Sequence, residues 1–362
     1  MTTRRQFLKG GAAAVATGIA FCGCGMLRSA HAQGASRYRI PVMVGGARVK
    51  TIDVHAHCVI PEAAKLLGPA LPLTVRGAEE TVIALDQRLA AMDAQAVDIE
   101  VLSINPNWYK ADRDLAGQVV KLQNEKLAAL CAAQPGRFAG FASLTLQAPD
   151  LAVRELDTAV NRLGLKWAAI GGNVDGVAFS DARFHLVWAK AEELGVPLFI
   201  HPQGVPELNK QLAGNGWLTN AIAYPVETSI ALSHLIFEGT FDRFPKLKVI
   251  AAHGGGFLPS YADRSDHACL VNPGGCDPNI KLAKAPTEYL KQIYFDSLVF
   301  TPEALRHLAA QVGPGQIVLG SDYPFPWQLA PVDHVFASAS LSDDDKADIL
   351  GRTAAKLFGM EA

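Results

Sequence analysis

Five residues carry the chemistry legible in this sequence. His55 and His57 end the run Val49-Lys50-Thr51-Ile52-Asp53-Val54, His201 follows Pro197-Leu198-Phe199-Ile200, His253 follows Val249-Ile250-Ala251-Ala252, and Asp322 follows Ile317-Val318-Leu319-Gly320-Ser321. A spacing of two on an extended strand turns both imidazoles to the same side, as two ligands of one ion require. Three imidazoles and one carboxylate suit Zn²⁺ and are compatible with other first-row ions that accept five ligands. A catalytic ion keeps one position open, and water bound there ionises near neutral pH. That leaves one histidine spare. His253 precedes Gly254-Gly255-Gly256, where absent side chains would let a substrate approach the backbone and leave the imidazole free to act as general acid or base. Spacing does not itself divide these roles. A lone strand-end histidine is usually structural, but four histidines and one aspartate, each just past an apolar run, argue for a shared site. His185, His234, His267 and His307 lie in helical or loop patterns and carry no such signal.

The elements that must position these groups follow from hydrophobic periodicity. Short apolar runs at 49–54, 99–103, 138–143, 167–170, 197–200, 248–252, 292–295 and 317–320 alternate with helical patterns at 115–133, 151–163, 184–194, 226–238, 303–312 and 343–358. This alternation predicts an α/β fold, a (β/α)₈ barrel whose functional residues gather at the C-terminal ends of the strands. Segments 201–221 and 265–287, rich in Gly and Pro, read as loops inserted over the barrel mouth.

The chain has 362 residues, of which 49% are apolar and 19% charged, enough to bury the core of one barrel of about 250–330 residues. A net charge of -2 with no block of like charge argues against nucleic-acid partners and leaves a small molecule as the expected substrate. Residues 1–32 differ in character. Arg4-Arg5-Gln6-Phe7-Leu8-Lys9 leads into a weakly apolar Gly and Ala run and then Ala30-His31-Ala32, which reads as a twin-arginine export signal with its cleavage site. The apolar run, about 18 residues, is marginal for spanning a bilayer. Mature protein would start near Gln33, with 33–48 as a polar leader and 49–362 as the catalytic domain, exported folded to the periplasm or beyond. Loss of the signal removes Cys22 and Cys24. Cys58 is expected to pack rather than ligate, and Cys269 and Cys276 to stay unpaired, since a barrel of this size needs no staple.

From Val49 through Phe358 the sequence resembles the metal-dependent decarboxylase branch of the amidohydrolase superfamily, most closely the 2-amino-3-carboxymuconate-6-semialdehyde decarboxylases. The segments that carry the resemblance are Ile52-Asp53-Val54-His55-Ala56-His57, Phe199-Ile200-His201-Pro202, Pro225-Val226-Glu227-Thr228, Phe244-Pro245-Lys246-Leu247-Lys248-Val249, Ala252-His253-Gly254-Gly255-Gly256 and Leu319-Gly320-Ser321-Asp322-Tyr323-Pro324-Phe325-Pro326. The resemblance implies that His55, His57, His201 and Asp322 hold Zn²⁺ and that His253 is the acid/base residue. It implies a homodimer in which a pair of arginines, one from the neighbouring subunit, binds substrate carboxylates. Arg264 matches the second arginine and Arg76 stands for the first, while Trp217 and Phe325 are the expected aromatic contacts. The family's tryptophan just past the third metal histidine is Gln203 here, a departure in the substrate loop. Non-oxidative decarboxylation of a small unsaturated or aromatic acid is the expected reaction. Hydrolysis of an ester, lactone or amide on the same ligand set is the rival, and a non-catalytic periplasmic binding protein is the weaker third reading.

Overall fold

The computed structural model describes residues 39–68 and 85–361. The export signal and Arg76 lie outside the described residues. The described part of the leader is not featureless: β1 (Val42–Val44) and β2 (Ala47–Val49) pair as an antiparallel hairpin. Gly45 and Gly46, at φ +56° and +81°, make its two-residue turn, a backbone shape that favours glycine at both positions.

Eight parallel strands follow in sequential order: β3 (Ile52–His57), β4 (Ile99–Ser103), β5 (Phe138–Ala142), β6 (Trp167–Ile170), β7 (Pro197–Ile200), β8 (Lys248–Ala251), β9 (Ile293–Asp296) and β10 (Ile317–Val318). The segment through and past β10 returns to the first strand. Val54 N donates to Leu319 O at 2.8 Å, His57 N to Tyr323 O at 2.7 Å and Asp322 N to His55 O at 2.8 Å, closing the barrel. With helices such as Arg113–Ala133, His185–Leu194, Ala223–Phe237 and Pro302–Val312 in the connections, this is the (β/α)₈ barrel that the alternation predicts.

Strand alternation separates two cores. Ile52, Val54, Val101, Phe141, Trp167, Phe199, Ile250 and Val318 fill the barrel interior, whereas Ala56, Leu102, Leu198, Ile200, Val249, Phe295 and Leu319 pack outward beneath the helices. Helix Thr353–Phe358 closes the floor, with the Phe358 ring 4.3 Å from that of Trp167.

The sequence reading needs correction at several places. Strand β3 runs to His57, so the two histidines lie within it rather than past its end. Segment 265–287 is not a plain loop, because its first residues continue a helix, Ala262–Val271, and 201–221 holds the short helices Pro206–Gln211 and Leu218–Ala221. Cys269 and Cys276 form a disulfide across a seven-residue separation, so the insertion is stapled although the barrel core has no need of it. A helix end and a proline-glycine turn bring the two sulfurs together locally, independently of core size.

Candidate metal centre

A bulge in β3 sets the geometry. Asp53 pairs with Glu100 and Ala56 with Leu102, so Val54 and His55 together oppose the single residue Val101. Simple alternation from inward-facing Ile52 and Val54 would turn His55 and His57 outward. The extra residue shifts the parity, and both rings enter the barrel mouth. His201 continues the inward row of Phe199 on β7, and its N–H donates to Ile170 O.

His55, His57, His201 and Asp322 offer ligand atoms that all lie within 4.8 Å of one another, and all four side chains are buried. The Nε2 atoms of His55 and His57 are 3.1 Å apart and lie 3.2 Å and 2.8 Å from Asp322 Oδ1. The outer nitrogens are engaged elsewhere. His55 Nδ1 pairs with Asp296 Oδ2 at 2.6 Å, and His57 Nδ1 with Ser103 Oγ at 3.0 Å. Ser103 Oγ is also 3.1 Å from Ala56 O, so a relay in which His57 donates to Ser103 and Ser103 to Ala56 leaves Nε2 as the free lone pair. Both nitrogens of His201 are buried without a hydrogen-bond partner among the described residues. Buried polar atoms are normally paired, so this donor set fits a cation held among the four side chains.

Electrostatics agree with that fit. Burial pulls the His55 pKa down, but Asp322 and Asp296 outweigh it and raise it to about 10. Burial also opposes ionisation of Asp322, yet the surrounding imidazoles hold its carboxyl well below the usual range. His201 is pushed well below its ordinary value by burial and then by its neighbouring imidazoles, and His57 is lowered by burial. Two buried carboxylates among mostly neutral imidazoles make a pocket that favours positive charge.

His253 stands beside this group. Its ring is 5.2 Å from that of His55 and 5.3 Å from that of His201, and its Nε2 is 3.9 Å from Asp322 Oδ2. The backbone there is unusual: His253, Gly254, Gly255 and Gly256 all have positive φ. The expectation that the glycines open a path for substrate does not hold. A Cβ on Gly254 would lie 2.5 Å from Val299, on Gly255 2.6 Å from Phe295, and on Gly256 2.0 Å from Pro225 O. The glycines let this turn press against the barrel, which is what aims His253.

Sequence reading missed Asp296. It ends β9 and accepts four hydrogen bonds, from His55 Nδ1, the backbone N–H of His253, that of Gly254 and that of Leu298, so one carboxylate fixes a metal-group ring and the turn carrying His253. Glu227 on helix Ala223–Phe237 does the same for the loop after His201, accepting from Gly204 N at 2.6 Å, from Gln203 N and from Asn173 Nδ2. Cys58 is a buried free thiol that burial raises to about 12, in keeping with packing.

The expected substrate residues are placed less uniformly. Phe325 joins the site, its ring 5.7 Å from that of His57. Trp217 is 45% exposed and stacks on Trp327 at 5.5 Å, which the Phe300 ring also meets at 6.0 Å. Arg264 is exposed on helix Ala262–Val271 and has no ion pair among the described residues.

Comparison with known proteins agrees with this architecture. A model of the amidohydrolase family matches residues 52–360. The chain is 33% identical over 279 residues to 2-amino-3-carboxymuconate-6-semialdehyde decarboxylase of Dictyostelium discoideum, covering 76% of this chain and 77% of that one. It is 30% identical over 293 residues to a gamma-resorcylate decarboxylase of Rhodococcus jostii, covering 76% and 88%. A dihydroxybenzoic acid decarboxylase from Polaromonas, solved with bound manganese and the inhibitor 2-nitroresorcinol, superposes with a TM-score of 0.75 at 26% identity, covering 86% and 97%. With a barrel of this topology, a buried group of three histidines and one aspartate, and a match along nearly the whole described domain, the chain belongs to the amidohydrolase family and is an enzyme of that superfamily.

Proposed function

We propose that the protein is a divalent-metal-dependent non-oxidative decarboxylase of a small unsaturated or aromatic carboxylic acid. The observation that carries this reading is His253, aimed at a three-histidine, one-carboxylate group from 3.9 Å, with its Nδ1 buried and without a hydrogen-bond partner among the described residues. Similarity to decarboxylases over three quarters of the chain favours carbon dioxide release over hydrolysis.

His55, His57, His201 and Asp322 would hold the ion, proposed as Zn²⁺ on the strength of its imidazole-rich donors, with Mn²⁺, the ion of the Polaromonas relative, as the alternative. When bound, the ion supplies Lewis-acid stabilisation of negative charge on substrate oxygen. His253 delivers a proton to the carbon bearing the carboxylate. The bond from that carbon to the carboxylate then breaks, its electron pair stays with the conjugated system, and carbon dioxide leaves. One acid anion and one proton thus give the shortened product and carbon dioxide. Phe325, and Trp217 with its stacked partner Trp327, offer apolar surface to a flat substrate.

Arg264 is proposed to bind the substrate carboxylate of a neighbouring subunit in a homodimer. Its free guanidinium, with Phe257 and Tyr261 exposed nearby at 41% and 64%, supports this role. Export through the twin-arginine pathway is proposed on Arg4-Arg5 and Ala30-His31-Ala32, and the Cys269–Cys276 disulfide suits an oxidising compartment. The test is a panel of carboxymuconate semialdehydes, hydroxybenzoates, lactones and N-acyl compounds, followed for carbon dioxide and for hydrolysis products. Carbon dioxide from one of the acids is expected, and hydrolysis alone overturns the reading.

A further inference from the structure

Among the described residues, the only buried Arg or Lys is Arg88, on helix Leu85–Ala94 and 1% exposed. A lone buried guanidinium is costly unless its donors are matched. Of its three nitrogens, Nη1 donates to Glu100 Oε2 on β4 at 2.6 Å, Nη2 donates to the main-chain carbonyl of His57 on β3 at 2.5 Å, and Nε is buried without a hydrogen-bond partner among the described residues. The guanidinium carbon lies over the Tyr323 ring, 4.8 Å from its centre. Tyr323 in turn is the residue after Asp322, and its carbonyl accepts the His57 N–H at 2.7 Å. A single side chain therefore touches the strand that carries His55 and His57, the strand beside it, and the segment that carries Asp322, at the seam where the barrel closes. None of these contacts reaches the ligand atoms themselves.

We propose that Arg88 is a positioning residue for the metal group: by clamping the His57 carbonyl against the Tyr323 ring, it sets the distance between the His55/His57 pair and Asp322 and so sets affinity for the ion. The role rests on the metal reading above. Glu100 is the counter-charge that lets Arg88 be buried; its backbone pairs with Asp53 on β3, but the hydrogen bond of its side chain goes to Arg88 and not to a ligand segment. The two residues of one ion pair therefore have separable duties. Arg88→Lys keeps the charge beside Glu100, but one ammonium lacks the planar fork that reaches both acceptors from over the Tyr323 ring. Glu100→Gln removes the charge and leaves the fork to His57 in place.

The experiment measures Zn²⁺ and Mn²⁺ affinity by competition with a chelator and, separately, the melting temperature of the metal-free protein, for wild type and both variants. Arg88→Lys is expected to weaken metal binding by about 10–100-fold, the usual effect of losing a group that orients ligands. Glu100→Gln is expected to leave metal affinity near the wild-type value while lowering the melting temperature at least as much. Metal affinities that fall together with stability in both variants, or wild-type affinity in Arg88→Lys, overturn the assignment. Should Arg88→Lys not fold, the double variant Arg88→Met with Glu100→Leu removes the buried pair without stranding a charge. Weakened binding by that folded double variant supports the role, and undiminished binding overturns it. A wild-type protein that takes up no ion defeats the metal reading itself, a result distinct from any of these.

Discussion

His55 Nδ1 and Asp296 Oδ2 stand 2.6 Å apart, and neither side chain reaches solvent. The contact fixes which nitrogen of His55 faces Asp322 and His57, and it places a negative charge behind the ring. Burial works against the Asp296 carboxylate, but the hydrogen bond and charge of His55 keep its pKa below the ordinary value. Asp296→Asn keeps the shape and removes the charge. Metal affinity is expected to fall by about 10–100-fold, read by chelator competition; an unchanged affinity would show that His55 is oriented by packing alone.

His253 is separable from the metal group because none of its contacts is needed to hold the other four residues together. His253→Asn is expected to retain wild-type metal content by elemental analysis while kcat falls by about 10²–10⁴-fold. Residual activity close to wild type would remove His253 from the proton-transfer role.

His201 presents two buried nitrogens that nothing else among the described residues satisfies. His201→Ala should lower bound metal well below one ion per chain. Chelation of the wild type should also lower its melting temperature, since an ion at about 100 times its Kd contributes about 2.7 kcal/mol. Chelator should have little further effect on the variant, and equal shifts in both proteins would contradict the ligand assignment.

Shared-site geometry can be checked by complementation. Arg264→Ala and His253→Asn are each expected to be nearly inactive as homodimers. Mixed dimers made by co-expression would contain one site with both residues intact and recover a substantial part of wild-type activity. No recovery on mixing, or a fully active monomer by light scattering, refutes sharing across subunits.

A pH effect on stability is expected away from the site. Glu155, half-buried on helix Pro149–Thr158, accepts from both the N–H and the hydroxyl of Thr145, and burial raises its pKa from 4.5 to about 7. The folded form holds its proton more tightly than the unfolded one. Its contribution is therefore fully present below pH 4.5 and is lost as pH rises to about 7. Glu155→Gln should raise the melting temperature at pH 8, with a gain of at most about 3 kcal/mol, and give no gain at pH 4.5. Equal effects at both pH values would show that Glu155 does not titrate in this range.

The residues that converge in the barrel mouth were legible because each follows an apolar run, and such runs end at the same face of a parallel barrel. Asp296 escaped since the run at 292–295 stops one residue short of it, and an Asp-Ser pair after a strand looks like an ordinary turn. Arg88 escaped for a different reason: in an amphipathic helix with Asp86 and Gln87 beside it, an arginine reads as solvated, and only the fold buries it. The β3 bulge was equally hidden. Inward rings at His55 and His57 require a parity change that period-two patterning does not contain, although the two-residue spacing alone was enough to pair them. The glycines after His253 were visible, but whether they face a ligand or the neighbouring strand depends on contacts from Val299, Phe295 and Pro225, far away in sequence.

The floor laid by Trp167 and Phe358 makes the barrel a vessel with one opening. Any molecule that reaches the histidines arrives and departs on the same side, so product must clear the path that the next substrate takes. Turnover in such a vessel is governed by traffic at its neck, and the aromatic trio of exposed Trp217 and Phe300 with half-buried Trp327 is where slow departure would first be felt as inhibition by product.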